Sequence, residues 1–480
     1  MNNSLWILPK MLVLFLIYLP LLFLFLQSFY IPGTNIPFYD IIIGISLFLL
    51  ILIKPRNFII FFTFKEQFYK VLWIYIAWIF VSGILLIFLG IYKLHIFLYA
   101  TIALFFYNNI CWYIYPTLLI SHFISLRNLI RYLLICIYLI CLYGLLVFLL
   151  NKINLHILDP IQNIIVNRRE LISTTRVLSV FEEPGYMGGF ICINIPIVYN
   201  IILSKFKVFY NKYINCFFKK SFIPLYIITL ILVQSPIWLI IFIIINLIYF
   251  HKIIFKHFKS ILIMIFTLII CTNIVIKSEI LHINDNSRGV LTRIINFTNN
   301  FGTNIVFIDE SLATRILGYK ARFKIFLKHP ITGVGYKNTE YHVYKVLEET
   351  NTILPTGMRK QLFSISNNDK FIMLSGSILW NALSDTGIVG MVLFYTFLIL
   401  SMIKLNVIQN KVHESMIKKF IIGLNQTYLA ILCLSIYDIR SNFTYFWFLF
   451  GMTIPCVLYY DKIQKSSYSV IKEELNNEYK

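Results

Sequence analysis

Residues 130–150 read IRYLLICIYLICLYGLLVFLL, with Arg131 as the single charged side chain. At 1.5 Å per residue, a helix of about 20 residues crosses the ~30 Å hydrocarbon core of a bilayer, so this stretch predicts a transmembrane helix. Similar runs recur along the 480 residues, which are 59% hydrophobic and only 13% charged. A soluble protein of this size cannot cover so much apolar area with polar surface. The composition therefore predicts an all-α, polytopic membrane protein.

About twelve apolar segments are long enough, or nearly so, to cross the bilayer. The first of them lacks a small-residue cleavage site, which predicts a span rather than a removable signal peptide. Residues 222–250 have lysine-rich flanks on both sides, and this favours a hairpin turning near residues 234–236 over one long helix. The predicted spans are 11–31, 38–53, 71–90, 95–119, 130–150, 187–204, the two arms of 222–250, 260–277, 378–401, 419–437 and 443–460.

The basic residues set the predicted orientation. The net charge is +21, from 42 Lys+Arg against 21 Asp+Glu, and most lysines lie in alternate short loops. By the positive-inside rule these loops and both termini are cytoplasmic. We interpret the charge as a topology signal and not as a nucleic-acid surface, since no groove-reading motif accompanies it.

This orientation divides the chain into four parts. Residues 1–278 hold the first nine spans, with an external loop at 151–186. Residues 279–376 form one large external loop, the longest hydrophilic segment of the chain. Residues 377–460 hold three further spans, and 461–480 form a polar cytoplasmic tail. A membrane protein with one such polar insert usually works there, because binding residues need access to water and substrate.

The large external loop contains a predicted amphipathic helix, RILGYKARFKIFLK at 315–328. Its apolar residues recur with a helical period, and Pro330 ends the pattern. Arg315 is a candidate pyrophosphate ligand, because a planar guanidinium matches two phosphate oxygens. Arg322 is a further candidate for binding substrate. The alternative is a basic helix face that lies on anionic lipid headgroups.

Gly333 and Gly335 follow this helix. They either let the backbone approach a ligand or form the turn that closes the helix. The histidines nearby, His329 and His342, are interpreted as surface residues. The eight cysteines form no C-x-x-C pair, and the sequence has no H-E-x-x-H pattern. We therefore expect no metal site.

Three acidic residues adjoin predicted spans. Glu182 and Glu183 precede Pro184, where they either favour the dipole of the next helix or provide a general base beside the membrane surface. Arg176 lies shortly before them in the same external loop. Asp385 lies inside an apolar run, where a carboxylate is costly unless it faces a polar cavity or pairs.

Four motifs, in this order, resemble those of the bacterial O-antigen polymerase and O-antigen ligase superfamily of membrane glycosyltransferases. They are RVLSVFEEPGY at 176–186, the short hairpin with QSP at 234–236, Arg315 with KHPITGVG at 328–335, and NALSDTGIVG at 381–390. The resemblance implies a helical fold of the lipid-sugar glycosyltransferase type. It also implies metal-independent transfer without a cofactor, at the outer face of the bacterial inner membrane.

The resemblance further implies roles for individual residues. Arg176 and Arg315 would hold the donor pyrophosphate, and Glu182 or Glu183 would orient or deprotonate the acceptor hydroxyl. The candidate substrate-binding residues are Arg322, Gly333, Gly335 and Asp385. Implied partners are an undecaprenyl-pyrophosphate-linked glycan, membrane lipid, a chain-length regulator and a flippase, with no nucleic acid.

The expected activity is polymerisation of glycan repeat units into O-antigen or capsular polysaccharide. The ligase branch typically carries a His-Asn pair where this chain has Gly376 and Ser377, and this departure favours a polymerase. Two alternatives stay open. One is a ligase that transfers the finished glycan to a lipid or protein acceptor, and the other is a non-enzymatic flippase of lipid-linked glycans.

Overall fold

The computed structural model describes nine stretches of the chain and five single positions. All of these residues are helical or lie in turns and irregular connections, and none forms a β-strand. The described residues are 38–53, 64–122, 124–153, 155–158, 184–204, 207–233, 238, 241–242, 245–246, 310–349, 377–435 and 444–462.

In chain order the helices are α1 (Phe38–Ile53), α2 (Gln67–Phe88), α3 (Leu94–Phe97), α4 (Cys111–His122), α5 (Leu126–Lys152), α6 (Pro184–Ile202), α7 (Lys212–Val233), α8 (Glu310–Lys328), α9 (Thr339–Glu349), α10 (Ile378–Gln409), α11 (Ser415–Leu434) and α12 (Thr444–Gly451). A π-helix, Leu98–Ile110, joins α3 to α4. A short 3-10 helix, His156–Leu158, follows α5.

Five of these helices are long and apolar enough to cross a membrane: α2, α5, α7, α10 and α11. The protein is therefore all-helical in its described part, with the helices of a membrane protein. The segments predicted at 38–53, 71–90 and 130–150 coincide with α1, α2 and α5 to within about four residues. The span predicted at 378–401 begins with α10, but α10 continues beyond it to Gln409. The spans predicted at 11–31 and 260–277 lie outside the described residues.

Residues at the helix starts explain where several helices begin. The Ser125 hydroxyl accepts a hydrogen bond from the Asn128 amide at 3.3 Å, and Ser377 accepts one from the Trp380 amide at 3.2 Å. Each serine satisfies an amide that the first helical turn leaves without a backbone partner. Pro184 is the first residue of α6, where the absence of an amide hydrogen costs nothing.

The apolar helices pack into one large core. α10 lies against both α2 and α11, and α11 lies along α6. Gly423 allows this last approach, because a Cβ there would lie 2.7 Å from the Cα of Ile197. Polar side chains also join these two helices, as when the Thr427 hydroxyl donates to the carbonyl of Ile193 at 3.1 Å. Small residues and interhelical hydrogen bonds are the usual means by which membrane helices associate.

The described residues on the two sides of 234–237 run in opposite directions along α6. α7 runs antiparallel to α6. The residues that follow run parallel to α6 instead, because the Cys192 thiol contacts the carbonyl of Trp238 at 3.3 Å and the Tyr199 hydroxyl donates to Asn246 at 3.0 Å. The turn predicted at 234–236 lies outside the described residues, and the opposite directions on its two sides are those that the predicted hairpin requires.

Ion pairs join the helix ends that the charge pattern predicts to be cytoplasmic. Lys404, near the end of α10, pairs with Glu66, just before α2, at 2.6 Å. Arg127, at the start of α5, pairs with Glu414, just before α11, at 2.5 Å, and the Tyr459 hydroxyl donates to the same carboxylate. We call these five residues the inner ion-pair cluster. They bring helix ends that are distant in sequence to one side of the bundle, as the predicted orientation requires.

Candidate functional site

α10 is interrupted at Gly387, inside the motif at 381–390. The φ of Gly387 is 68° and its ψ is −171°, a conformation that glycine adopts readily and other residues rarely adopt. A Cβ at this position would also lie 2.0 Å from the carbonyl oxygen of Ile331. The break deprives neighbouring amides and carbonyls of their helical partners, and inside a membrane protein such groups need others.

The loop between α8 and α9 provides most of these partners. The amides of Val334 and Gly335 donate to two successive carbonyls of α10, each at 2.9 Å. The amide of Ile388 in turn donates to the carbonyl of Pro330 at 2.8 Å. The indole Nε1 of Trp78, on α2, donates to the next carbonyl of α10 at 3.0 Å. Backbone hydrogen bonds thus join the break in α10 to a loop from the large hydrophilic segment that the sequence predicts to be external.

We call this unit, with the adjoining parts of α8 and α9, the outer junction, after the side on which the charge pattern predicts it. We define it as residues 322–342 together with residues 384–388. It brings together two of the motifs on which the family resemblance rests. Three of its loop residues have positive φ: Gly333 at 64°, Gly335 at 100° and Lys337 at 62°. Lys337 is the one non-glycine residue with positive φ in the described part of the chain. Such conformations persist where the surrounding structure holds them, and they cluster at functional sites.

The structure shows what the two loop glycines contact. A Cβ on Gly333 would lie 2.5 Å from the carbonyl carbon of Asp385, and one on Gly335 would lie 2.5 Å from the ring of Tyr92. Both glycines therefore allow close packing of the loop, which agrees with the interpretation as a turn. A role for their backbone in binding substrate stays a prediction.

Asp385 is buried, with 7% of its surface exposed. Its carboxylate accepts hydrogen bonds from the hydroxyl and, at 3.4 Å, from the amide of Thr339, the first residue of α9. The carboxylate thus acts as an N-cap supplied by another segment of the chain, where the positive end of the helix dipole favours it. The sequence predicts that an aspartate in an apolar run needs a polar cavity or a partner. The hydrogen bonds from Thr339 provide that partner.

Arg322 has no exposed surface, and its Nη2 lies 2.9 Å from a carboxylate oxygen of Glu340 on α9. Asp385 is linked to this pair through its hydrogen bond with Thr339, the residue that precedes Glu340. Arg322, Glu340 and Asp385 therefore form one buried charge cluster at the outer junction. Because this conformation encloses the guanidinium, Arg322 holds α8 against α9, and contact with substrate would require the cluster to open.

Arg315 lies seven residues before Arg322, and seven residues make two helical turns, so both lie on the same side of α8, about 10 Å apart. Arg315 is half-buried. Beside it on α8, Tyr319 stacks on Trp380 of α10, with ring centroids 6.2 Å apart. Arg315 thus lies on the side of α8 that packs against α10, while Arg322 pairs with Glu340 of α9. Lys320 and Lys324 of the same helix are exposed.

A small cavity lies beside the outer junction, between α2, α10 and α12. Asp385 and Asn381 provide its polar lining, and Tyr75, Tyr336 and Trp447 contribute aromatic rings. The Asn381 Oδ1 is buried and has no hydrogen-bond partner within the described part of the chain. The cavity volume of about 10 Å³ is at the lower limit for one water molecule. In this conformation a sugar or a pyrophosphate does not fit inside it.

His342 departs from its interpretation as a surface residue. It is half-buried on α9, and its Nε2 lies 3.3 Å from Nδ2 of the Asn338 side chain. Burial, reinforced by the nearby His329, lowers the pKa of His342 to about 4. Burial and the charge of Lys328 also lower the pKa of His329. The ring of His342 is therefore neutral at physiological pH.

The site contains residues that the sequence did not single out, chiefly Thr339, Glu340 and Trp78. The run Asn338-Thr339-Glu340 carries a local signal, because a capping residue followed by an acid is typical of a helix start. That signal predicts α9 but does not identify its partners. Three predicted site residues, Arg176, Glu182 and Glu183, lie outside the described residues.

Among the residues that the structure describes, no group of three His, Cys, Asp or Glu side chains is arranged to hold a metal ion. The chain matches no protein-family model, and no curated protein is significantly similar to it in sequence.

Proposed function

We propose that this protein is a glycosyltransferase of the bacterial inner membrane that polymerises glycan repeat units carried on undecaprenyl pyrophosphate. Its product would be an O-antigen or a capsular polysaccharide. The observation that carries the proposal is the outer junction. Two motifs of the resemblance, 328–335 and 381–390, meet there through backbone hydrogen bonds across a broken helix. A broken membrane helix with ionisable residues is costly to build, and this favours a functional site.

The depth of the outer junction supports a lipid-linked substrate. Lys404, paired with Glu66, marks the cytoplasmic limit of the apolar part of α10. About 20 helical residues cross the hydrocarbon core, so the opposite limit lies near residue 384. The part of the junction that α10 contributes begins at this residue. It therefore lies at the level of the lipid headgroups, which is where the pyrophosphate of a polyprenyl carrier is found.

The proposed reaction uses the arginines as electrostatic partners. The acceptor hydroxyl oxygen attacks the anomeric carbon of the donor sugar, and the bond from that carbon to the pyrophosphate oxygen breaks. The electron pair leaves with undecaprenyl pyrophosphate, whose charge Arg315 and Arg176 stabilise. Glu182 or Glu183 takes the proton of the acceptor hydroxyl. Arg322, Glu340 and Asp385 act as positioning residues that hold α8 and α9 on α10.

Gene deletion followed by gel analysis of surface glycan tests the activity. We expect the ladder of chain lengths to disappear while a single repeat unit remains on its anchor. Complete loss of anchored glycan would instead indicate a ligase. Repeat units that accumulate on the cytoplasmic face would indicate a flippase and would contradict both enzymatic functions.

Complementation with Arg315→Ala tests the site. We expect this variant to insert normally but to leave only the single repeat unit, because the leaving group loses its bidentate partner. Lys324→Ala is the matched control, since it removes one positive charge from an exposed position of the same helix. It should keep the normal ladder. A normal ladder with Arg315→Ala, or an equal loss with both variants, would overturn the assignment of Arg315.

A further inference from the structure

α8 has a second apolar face that the described residues cover only in part. Its first face carries Leu317, Ala321 and Ile325, which pack against apolar residues of α9 and of the loop before it. On the other side of the helix, the Phe323 ring packs edge to face against Trp380 of α10, with ring centroids 6.0 Å apart. Phe323 is nevertheless 45% exposed, and Leu327 is 61% exposed. Phe323 and Leu327 lie one helical turn apart and form an apolar stripe. Exposure of such a stripe to water is unfavourable.

This stripe continues into the surface of α10. Ile331 follows the stripe along the chain and is 61% exposed. The hydrogen bond from the Ile388 amide to the carbonyl of Pro330 places Ile331 next to Ile388, which is 39% exposed. One turn further on, Val392 is 50% exposed on a helix that is long enough to span the membrane. The exposed part of this face of α8 is therefore continuous with the exposed surface of a helix long enough to span the membrane.

Lysines border the stripe on one side. Lys320 and Lys324 are exposed, and neither has an acidic partner within the described part of the chain. Lys328, one turn further on, pairs with Glu349 at 3.3 Å. A lysine beside an apolar stripe can extend its hydrocarbon stem along the membrane surface and place its ammonium among lipid phosphates.

We propose that the outer leaflet of the bilayer covers this face of α8. Phe323, Leu327 and Ile331 enter the boundary of the hydrocarbon, and Lys320 and Lys324 bind phospholipid phosphates. The position of the outer junction near the limit of the hydrocarbon core places α8 at the required depth. This inference goes beyond the proposed function and does not depend on it. The two faces of α8 then have different partners, since Arg315 faces α10 and the lysines face lipid headgroups.

Site-specific photocrosslinking tests the contact. Phe323→p-benzoyl-phenylalanine and Leu327→p-benzoyl-phenylalanine would be purified separately and placed in nanodiscs of equal phosphatidylglycerol and phosphatidylcholine. After irradiation, mass spectrometry should detect phospholipid adducts at both positions. Lys345→p-benzoyl-phenylalanine, at an exposed position of α9, is the control and should form none. Absence of lipid adducts at both 323 and 327 would overturn the proposal, and a crosslinked dimer would assign the face to a second copy of the chain.

The same experiment also tests whether Lys320 and Lys324 bind anionic lipid. Each lysine near a charged surface favours anionic lipid by roughly fivefold. Adducts at residue 327 should therefore be enriched in phosphatidylglycerol over phosphatidylcholine. The enrichment should fall toward equality in Lys320→Gln/Lys324→Gln but persist in Lys345→Gln. Unchanged enrichment in the double variant would remove the lysines from the proposed contact.

Discussion

The outer junction and the inner ion-pair cluster both join helices that are distant in sequence, but they do so in different surroundings. At the inner cluster, the side chains of Lys404 and Glu66 keep 27% and 25% of their surface exposed. At the outer junction, Arg322 keeps none and Glu340 keeps 13%. Partly exposed ion pairs are screened by water and contribute little to stability, whereas buried charges must be fully compensated.

The backbone conformation also differs between the two regions. The helices at the inner cluster end with ordinary turns, whereas α10 breaks at Gly387 and exchanges hydrogen bonds with a loop. The protein could join helices at the outer side as simply as it does at the inner side. That it uses buried charges, a broken helix and positive φ angles there supports a site built for binding or chemistry.

The largest expected effect comes from Gly387→Ala. The added Cβ meets the carbonyl of Ile331 at 2.0 Å and forces a residue with a side chain to keep a φ of 68°. We expect a loss of about 5 kcal/mol or more in unfolding free energy, measured by denaturant titration in detergent. Gly90→Ala is the control, because Gly90 has a φ of 69° but no atom within 4 Å of the added Cβ. It should cost only about 1 kcal/mol, and similar losses for both variants would show that steric contact at the outer junction is unimportant.

The next effect is that of Arg322→Met. This change leaves Glu340 buried without its partner, so we expect a loss of about 3–5 kcal/mol in the same titration. Arg322→Met/Glu340→Gln should recover part of the loss, because it removes both charges.

Lys404→Met is the matched change at the inner ion-pair cluster, and we expect it to cost no more than about 1 kcal/mol. The comparison between the two regions fails if Lys404→Met destabilises the protein as much as Arg322→Met does.

A pH dependence at the outer junction should have a smaller effect than the loss of Arg322. The ordinary pKa of a histidine is 6.5 and that of His342 is about 4 in the folded protein, so the unfolded chain binds the proton first as the pH falls. The neutral ring therefore makes its full contribution to the free energy of unfolding above about pH 6.5, and this contribution decreases as the pH falls toward 4. Between pH 7 and pH 5 we expect wild type to lose about 2 kcal/mol more than His342→Gln. Thermal unfolding at the two pH values measures this, and parallel losses would contradict the low pKa.

Much of the fold follows from the sequence because hydropathy is a local property. The span predicted at 130–150 lies within α5, and the span predicted at 378–401 begins where α10 begins. Pro330 and the helical period of 315–328 likewise predict the end of α8 correctly. Charge along the chain indicates which helix ends share a side, and the inner ion pairs join ends of the predicted side.

The candidate site can be predicted from the sequence only in part. The sequence singled out Arg322 and Asp385 as candidates, but it identified neither Glu340 nor Thr339 as their partners. These pairings depend on α9 folding back onto α10, and no local pattern encodes which distant residues meet. The break at Gly387 was also not predicted, because a glycine in an apolar helix is common and becomes a break only where a loop takes over the backbone hydrogen bonds.

The sequence by itself determined an all-helical chain with membrane helices, the positions of several of them and the basic character of α8, since each depends on neighbouring residues alone. Only the tertiary structure decided that Arg322 of α8 is buried against Glu340 of α9 while Lys320 and Lys324 are exposed. The physical reason is that burying a charge is tolerable only beside a compensating partner, and here Glu340, brought close by the fold, provides that partner for Arg322.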